Sequence, residues 1–142
     1  MKLVDTNVLV YAVNEASPFH ETSRGWLDGA LAGADTAALS WQVLTGFIRI
    51  VTHPAAFAAP LTTNQAIDQV EEWLNAPASV VVEPTARHTT ILRNLLDAVG
   101  GIGGNLVNDA HLAALAIEHR AGIVSYDTDF VRFPGIAWTV PS

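Results

Sequence analysis

The chain has 142 residues, half of them hydrophobic and only 15% charged, with a net charge of −7 and no cysteine. That length suits a single domain with a true core, and the composition excludes a disordered chain. Without cysteine there is no disulfide framework, thiolate metal site or cysteine nucleophile, and no apolar run approaches the ~20 residues that cross a bilayer.

Met1 leads straight into an apolar segment, with none of the basic, apolar and small-residue regions of an export signal, so the expected location is the cytoplasm. Lys2 is the only lysine, and the arginines are Arg24, Arg49, Arg87, Arg93, Arg120 and Arg132. An acidic chain is poorly suited to nucleic acid, whose affinity normally comes from Lys and Arg on phosphates. Acids that bind metal would lower that charge, and an acidic surface equally suits a basic protein partner.

Lys2 to Asp5 reads as a short buried strand that ends in a carboxylate. Asn7 to Val13 is expected to be a helix, because Thr6 and Asn7 are good caps. Ser17-Pro18 marks a second helix start, with Trp26, Leu27, Ala30 and Leu31 as its apolar face. Thr36 to Leu39 is a strand candidate. Ser40 caps a helix in which Val43, Leu44, Phe47, Ile48 and Val51 recur at helical spacing.

Residues 53–61 form a Pro- and Ala-rich loop. Thr62 with Gln65 makes a capping box, and Ala66, Ile67, Val70, Trp73 and Leu74 line the helix behind it. Val80 to Val82 reads as a strand. A helix from about Ala86 carries Ile91, Leu92, Leu95, Leu96 and Val99. The glycines of 100–104 make a long turn, and the absence of a following Gly-Lys-Ser/Thr excludes a nucleotide P-loop. Asn108-Asp109 opens the next helix, Ile123 to Asp127 is a strand ending in an acid, and Ile136 to Val140 is a last strand. Strands alternate with helices throughout, which predicts an α/β fold with a parallel sheet covered by helices on both faces.

Asp5 and Asp127 end strands, and Asp109 begins a helix. In a doubly wound sheet, strand carboxyl ends and helix amino ends share one edge, where ligands bind. Taken singly, each acid is as readily a turn residue or a cap. Together they pose a problem, since two carboxylates about 4 Å apart repel by ~4 kcal/mol at an effective dielectric of 20. They must share a proton, find a cation or bind metal, and all-oxygen ligands select Mg²⁺ or Mn²⁺ over Zn²⁺. Receiver domains and haloacid-dehalogenase-like phosphatases also have acidic sheet edges, but they use a lysine that this chain lacks near the site.

Three blocks carry a family resemblance: residues 4–12 (VDTNVLVYA), 106–116 (LVNDAHLAALA) and 124–130 (VSYDTDF). They resemble a PIN domain, and more closely the VapC toxins of bacterial toxin–antitoxin pairs, over nearly the whole chain. The resemblance implies a single PIN domain over 1–142, a three-layer α/β/α fold with four to five parallel strands. It also implies a Mg²⁺-dependent endoribonuclease that cuts structured RNA, with Mn²⁺ as a substitute, inhibited by a VapB antitoxin and usually a homodimer. It assigns Asp5 and Asp109 as the main metal ligands and Asp127 as the next acid, all three catalytic, with Asp129 as an outer helper. Thr6, Asn7 and Ser125 stand where the family has supporting polar groups.

One position departs from the pattern. The family's usual glutamate in the helix after the second strand is replaced by Gly46. A mid-helix glycine costs about 1 kcal/mol against alanine and asks for a reason such as a close approach. Gln42, one turn earlier, offers a neutral oxygen, and Arg49 is placed to hold a phosphate. The lost acid leaves open a PIN-like module that binds RNA or protein with little or no cleavage. A flap-type DNA nuclease would need a clamp for which the chain is too short. His111 is expected at the surface. Trp41 and Trp73 are expected in the core, although with the 53–61 loop they are also candidates for a dimer or antitoxin surface.

Overall fold

A computed structural model describes residues 1–142. Its five short strands are β1 (Lys2–Val4), β2 (Ala37–Leu39), β3 (Ser79–Val81), β4 (Gly122–Val124) and β5 (Trp138–Thr139). All neighbouring pairs are parallel, in the order β3-β2-β1-β4-β5. The central strands are buried through Leu3, Val4, Ala37, Ala38, Leu39, Ile123 and Val124, as expected where helices cover both faces of a parallel sheet.

The helices are α1 (Thr6–Val13), α2 (His20–Gly29), α3 (Trp41–Val51), α4 (Thr63–Leu74), α5 (His88–Ala98) and α6 (Leu106–Glu118). After α2 a single wide turn over Ala30–Ala34 ends at Gly33, whose φ of +117° favours glycine. The helices fall into two packed sets, α1 to α4 and α5 with α6. Right-handed crossovers produce this division when the chain runs outward from β1 to β3 and then returns to β4 on the other side. The change of direction lies between β1 and β4, so their carboxyl ends form the crevice of the sheet.

Several local expectations shift. Asp5, not Thr6 or Asn7, caps α1, and its carboxylate accepts the Thr6 amide at 2.7 Å. The second helix begins at His20, because the Ser17 carbonyl and hydroxyl first close a turn onto His20 and Phe19. The helix bearing Asp109 starts three residues earlier, at Leu106, so Asp109 lies inside the first turn and is not a cap. The Thr62–Gln65 capping box forms as expected, with bonds of 3.1 and 2.9 Å. Trp73 is buried against Phe47, edge to face at 4.8 Å, whereas Trp41 is 48% exposed, because the first position of α3 points away from the sheet.

Candidate active site

The site grows out of the pairing of β1 with β4. Val4 is in register with Val124, and the Asp5 amide donates to the Val124 carbonyl at 3.0 Å. Asp5 and Ser125 therefore leave the sheet side by side. The Ser125 side chain is fully buried, and its hydroxyl donates to Asp5 Oδ2 at 2.6 Å. Ser125 Oγ in turn accepts from the Asp127 amide at 2.9 Å and from Asn7 Nδ2 at 3.1 Å. Asn7 also donates to Asp5 Oδ2 at 3.3 Å and accepts the Tyr126 amide at 3.1 Å. Ser125 and Asn7 thus tie the two strand ends together and fix the Asp5 carboxylate, with every lone pair and proton of the Ser125 hydroxyl used.

The amino end of α6 brings the remaining acid. Asp5, Asp109 and Asp127 line one open pocket of about 350 Å³, together with Thr6, Asn7, Val10, Tyr11 and Ile50. Asp127 caps the short 3₁₀ turn Thr128–Arg132 through the Asp129 amide, at 2.9 Å, and so holds Asp129 beside it. Carboxylate oxygens of Asp109, Asp127 and Asp129 lie within 4.8 Å of one another. The larger concavity, about 520 Å³ among α1, α2 and α4, contains none of these acids and lies away from the chemistry.

The electrostatics follow from crowding. Burial raises the pKa of Asp5 despite the bonds from Ser125 and Thr6, and the Asp127 charge raises it further. Burial, then the charges of Asp127, Asp5 and Asp129, push Asp109 up to about 7. None of the chain's ion pairs involves these aspartates. A clustered all-oxygen donor set that resists ionisation for want of positive charge fits a hard divalent cation.

On α3 the face toward the site is made by Ile50 and Gly46. A Cβ at Gly46 would sit 3.2 Å from Thr6 Oγ1 and 3.4 Å from Thr6 Cγ2, so the close neighbour of this glycine is the first residue of α1. Gln42 is half-buried and Arg49 exposed, and neither lines the acid pocket.

A polar chain between α5 and α6 was not legible in the sequence. Glu118, whose side chain has no exposed surface, accepts from the Thr85 amide at 2.9 Å and hydroxyl at 2.5 Å, and meets His88 Nδ1 at 2.6 Å. His88 Nε2 meets His111 Nδ1 at 2.9 Å. His111 is therefore half-buried between α5 and α6, not a surface residue. Burial and then the neighbouring His88 lower its pKa. The only sequence signal was the seven-residue spacing of His111 and Glu118, two turns apart on one helix face.

The PIN domain family model matches residues 2–136. Ribonuclease VapC37 of Mycobacterium tuberculosis is 56% identical over 141 residues, which cover 99% of this chain and 97% of the relative. Ribonuclease VapC33 of the same species is 40% identical over 99% of this chain and 98% of its own length. Among solved structures, VapBC2 from Rickettsia felis, bound to a DNA fragment from its promoter, aligns with a TM-score of 0.72 at 23% identity, covering 99% of this chain and 98% of that one. The five-stranded parallel sheet, the acids at its crevice and these full-length matches agree: the chain belongs to the PIN-domain family and, within it, to the group of VapC ribonucleases.

Proposed function

We propose that this protein is the toxin of a VapBC-type toxin–antitoxin pair, a metal-dependent endoribonuclease that hydrolyses phosphodiester bonds in RNA. Mg²⁺ is its ion, with Mn²⁺ able to substitute. A VapB-type antitoxin neutralises it, and it works in the cytoplasm as a homodimer. The antitoxin partner rests on the VapBC assembly of the structural relative, and the RNA substrate on the names of the sequence relatives. Those names favour cleavage over a module that only binds.

The observation that carries the chemistry is the convergence of Asp5, Asp109 and Asp127 on one pocket without a basic partner. In this reading Asp109 and Asp127 hold the cation, with Asp129 beside them and Asp5 completing the set. Asp5 Oδ1 spends one lone pair on the Thr6 amide and keeps another free for a cation. A bound divalent cation supplies Lewis acidity toward the attacking water and the phosphate. Ser125 and Asn7 act as positioning residues that keep the Asp5 carboxylate in one orientation. Thr6 donates its amide to that carboxylate and lays its side chain against Gly46.

Cleavage of a labelled RNA by the wild-type chain and by Asp5→Ala, in Mn²⁺ and in EDTA, tests the proposal. Cleavage that needs both the metal and Asp5 is expected. Activity that survives either change overturns the assignment, and a well-folded wild type that cuts no RNA overturns the ribonuclease reading.

A further inference from the structure

Three aromatic rings stand on one flank of the acid pocket. Tyr11 lines the pocket itself, and its ring centroid lies 5.2 Å from those of Phe19 and Tyr126. Phe19 and Tyr126 are 4.8 Å apart. The cluster is anchored from behind, because the Tyr126 hydroxyl shares a 2.7 Å hydrogen bond with Ser23, whose side chain is fully buried. It is also tied to the acids, since Asn7 binds the Tyr126 amide through its oxygen and Asp5 through its nitrogen. Phe19, in the turn before α2, rests against both tyrosines and is still 44% exposed.

The charge distribution gives this exposed ring a task. The chain carries seven basic side chains against fourteen acids, and no basic residue lines the acid pocket. Phosphate neutralisation is therefore a weak source of RNA affinity here. Stacking of an unpaired base on an aromatic face does not depend on net charge and is a main way in which single-stranded RNA is held.

We propose that Phe19, backed by Tyr11 and Tyr126, is a stacking platform for one unpaired RNA base beside the phosphate held at the acid pocket. Phe19 is then a substrate-positioning residue. The inference rests on the ribonuclease reading for its substrate class.

The test compares the wild type with Phe19→Ala, Phe19→Leu and Phe19→Trp on a single-stranded RNA carrying a fluorophore and a quencher, in Mn²⁺. The Ala and Leu variants are expected to raise KM by about tenfold with kcat little changed, and the Trp variant is expected to restore KM. A scan of single abasic sites along the RNA should find one position that raises KM for the wild type and not for Phe19→Ala. An unchanged KM in Phe19→Ala, or restoration by Leu as complete as by Trp, overturns stacking in favour of a packing role. If the wild type cuts no RNA, fluorescence anisotropy of the same oligonucleotide separates the two ideas. Tight binding that Phe19→Ala weakens would sink only the ribonuclease reading, whereas binding indifferent to Phe19 would sink the platform.

Discussion

Asp109 carries the clearest electrostatic signature of the site. Its position in the first turn of α6 should favour the ionised form through the helix dipole. Burial and the charges of Asp127, Asp5 and Asp129 nevertheless raise its pKa to about 7, so the crowding outweighs the dipole. An acid whose folded pKa lies above its unfolded value near 3.8 binds more protons in the folded state. Its contribution to stability is complete below the unfolded value and is lost as pH rises through the folded one. The thermal midpoint of the metal-free chain should therefore fall steadily as pH rises from about 5 to 7 and level off by pH 8. Asp109→Asn should flatten that fall and raise the midpoint at pH 8, read by thermal denaturation monitored by circular dichroism. The raised Asp5 acts in the same direction. Glu118 acts in the opposite one. Its burial is outweighed by the bonds from Thr85 and His88, so its pKa lies below 4.5, outside this window.

At the scale of elements, Gly46 lies where α1 meets α3. Gly46 is not spare flexibility. Its hydrogen-only face lets the Thr6 side chain lie against α3, with 3.2 Å to the place a Cβ would occupy. Gly46→Ala gains about 1 kcal/mol of helix propensity but must displace Thr6 by a few tenths of an ångström. With Thr6→Ala in the background the obstruction is gone, and the full gain of about 1 kcal/mol should appear. Urea denaturation of the four chains in a double-mutant cycle checks this, and a coupling near zero would show that Thr6 yields freely. A glutamate at 46 meets the same obstruction before its carboxylate can reach the metal. Gly46→Glu is expected to tighten Mn²⁺ binding most when Thr6 is also reduced to alanine.

For the molecule as a whole, the alternation of strands and helices was legible because each element carries its own period and its own caps. The Thr62–Gln65 box and the valine runs are examples. The meeting of Asp5 and Asp127 was legible in outline only: the strand read as Ile123 to Asp127 ends at Val124, and Asp127 caps the 3₁₀ turn just beyond it, still at the crevice that gathers strand ends. Less was legible where contact depends on register or on side-chain direction. The Ser125–Asp5 bond needs β1 beside β4 with Val4 opposite Val124, and no local signal specifies that pair. The His111–His88–Glu118 chain needs α5 packed on α6, and a lone histidine on a helix does not announce its partner. The exposure of Trp41 depends on where α3 turns away from the core.

The acidic balance makes a further prediction at this scale. With few cations to displace counterions, raising salt from 50 to 200 mM should change KM for single-stranded RNA by less than about tenfold, far less than for a basic nuclease.

In the proposed site, aspartates from a strand end, a helix start and a 3₁₀ turn grip one divalent cation. Isothermal titration of Mn²⁺ into the wild-type chain and into Asp109→Asn addresses this most directly. Saturable binding by the wild type, weakened at least about tenfold in the variant, is the expected result. Equal affinity in the two chains, or no binding by a folded wild type, would contradict it.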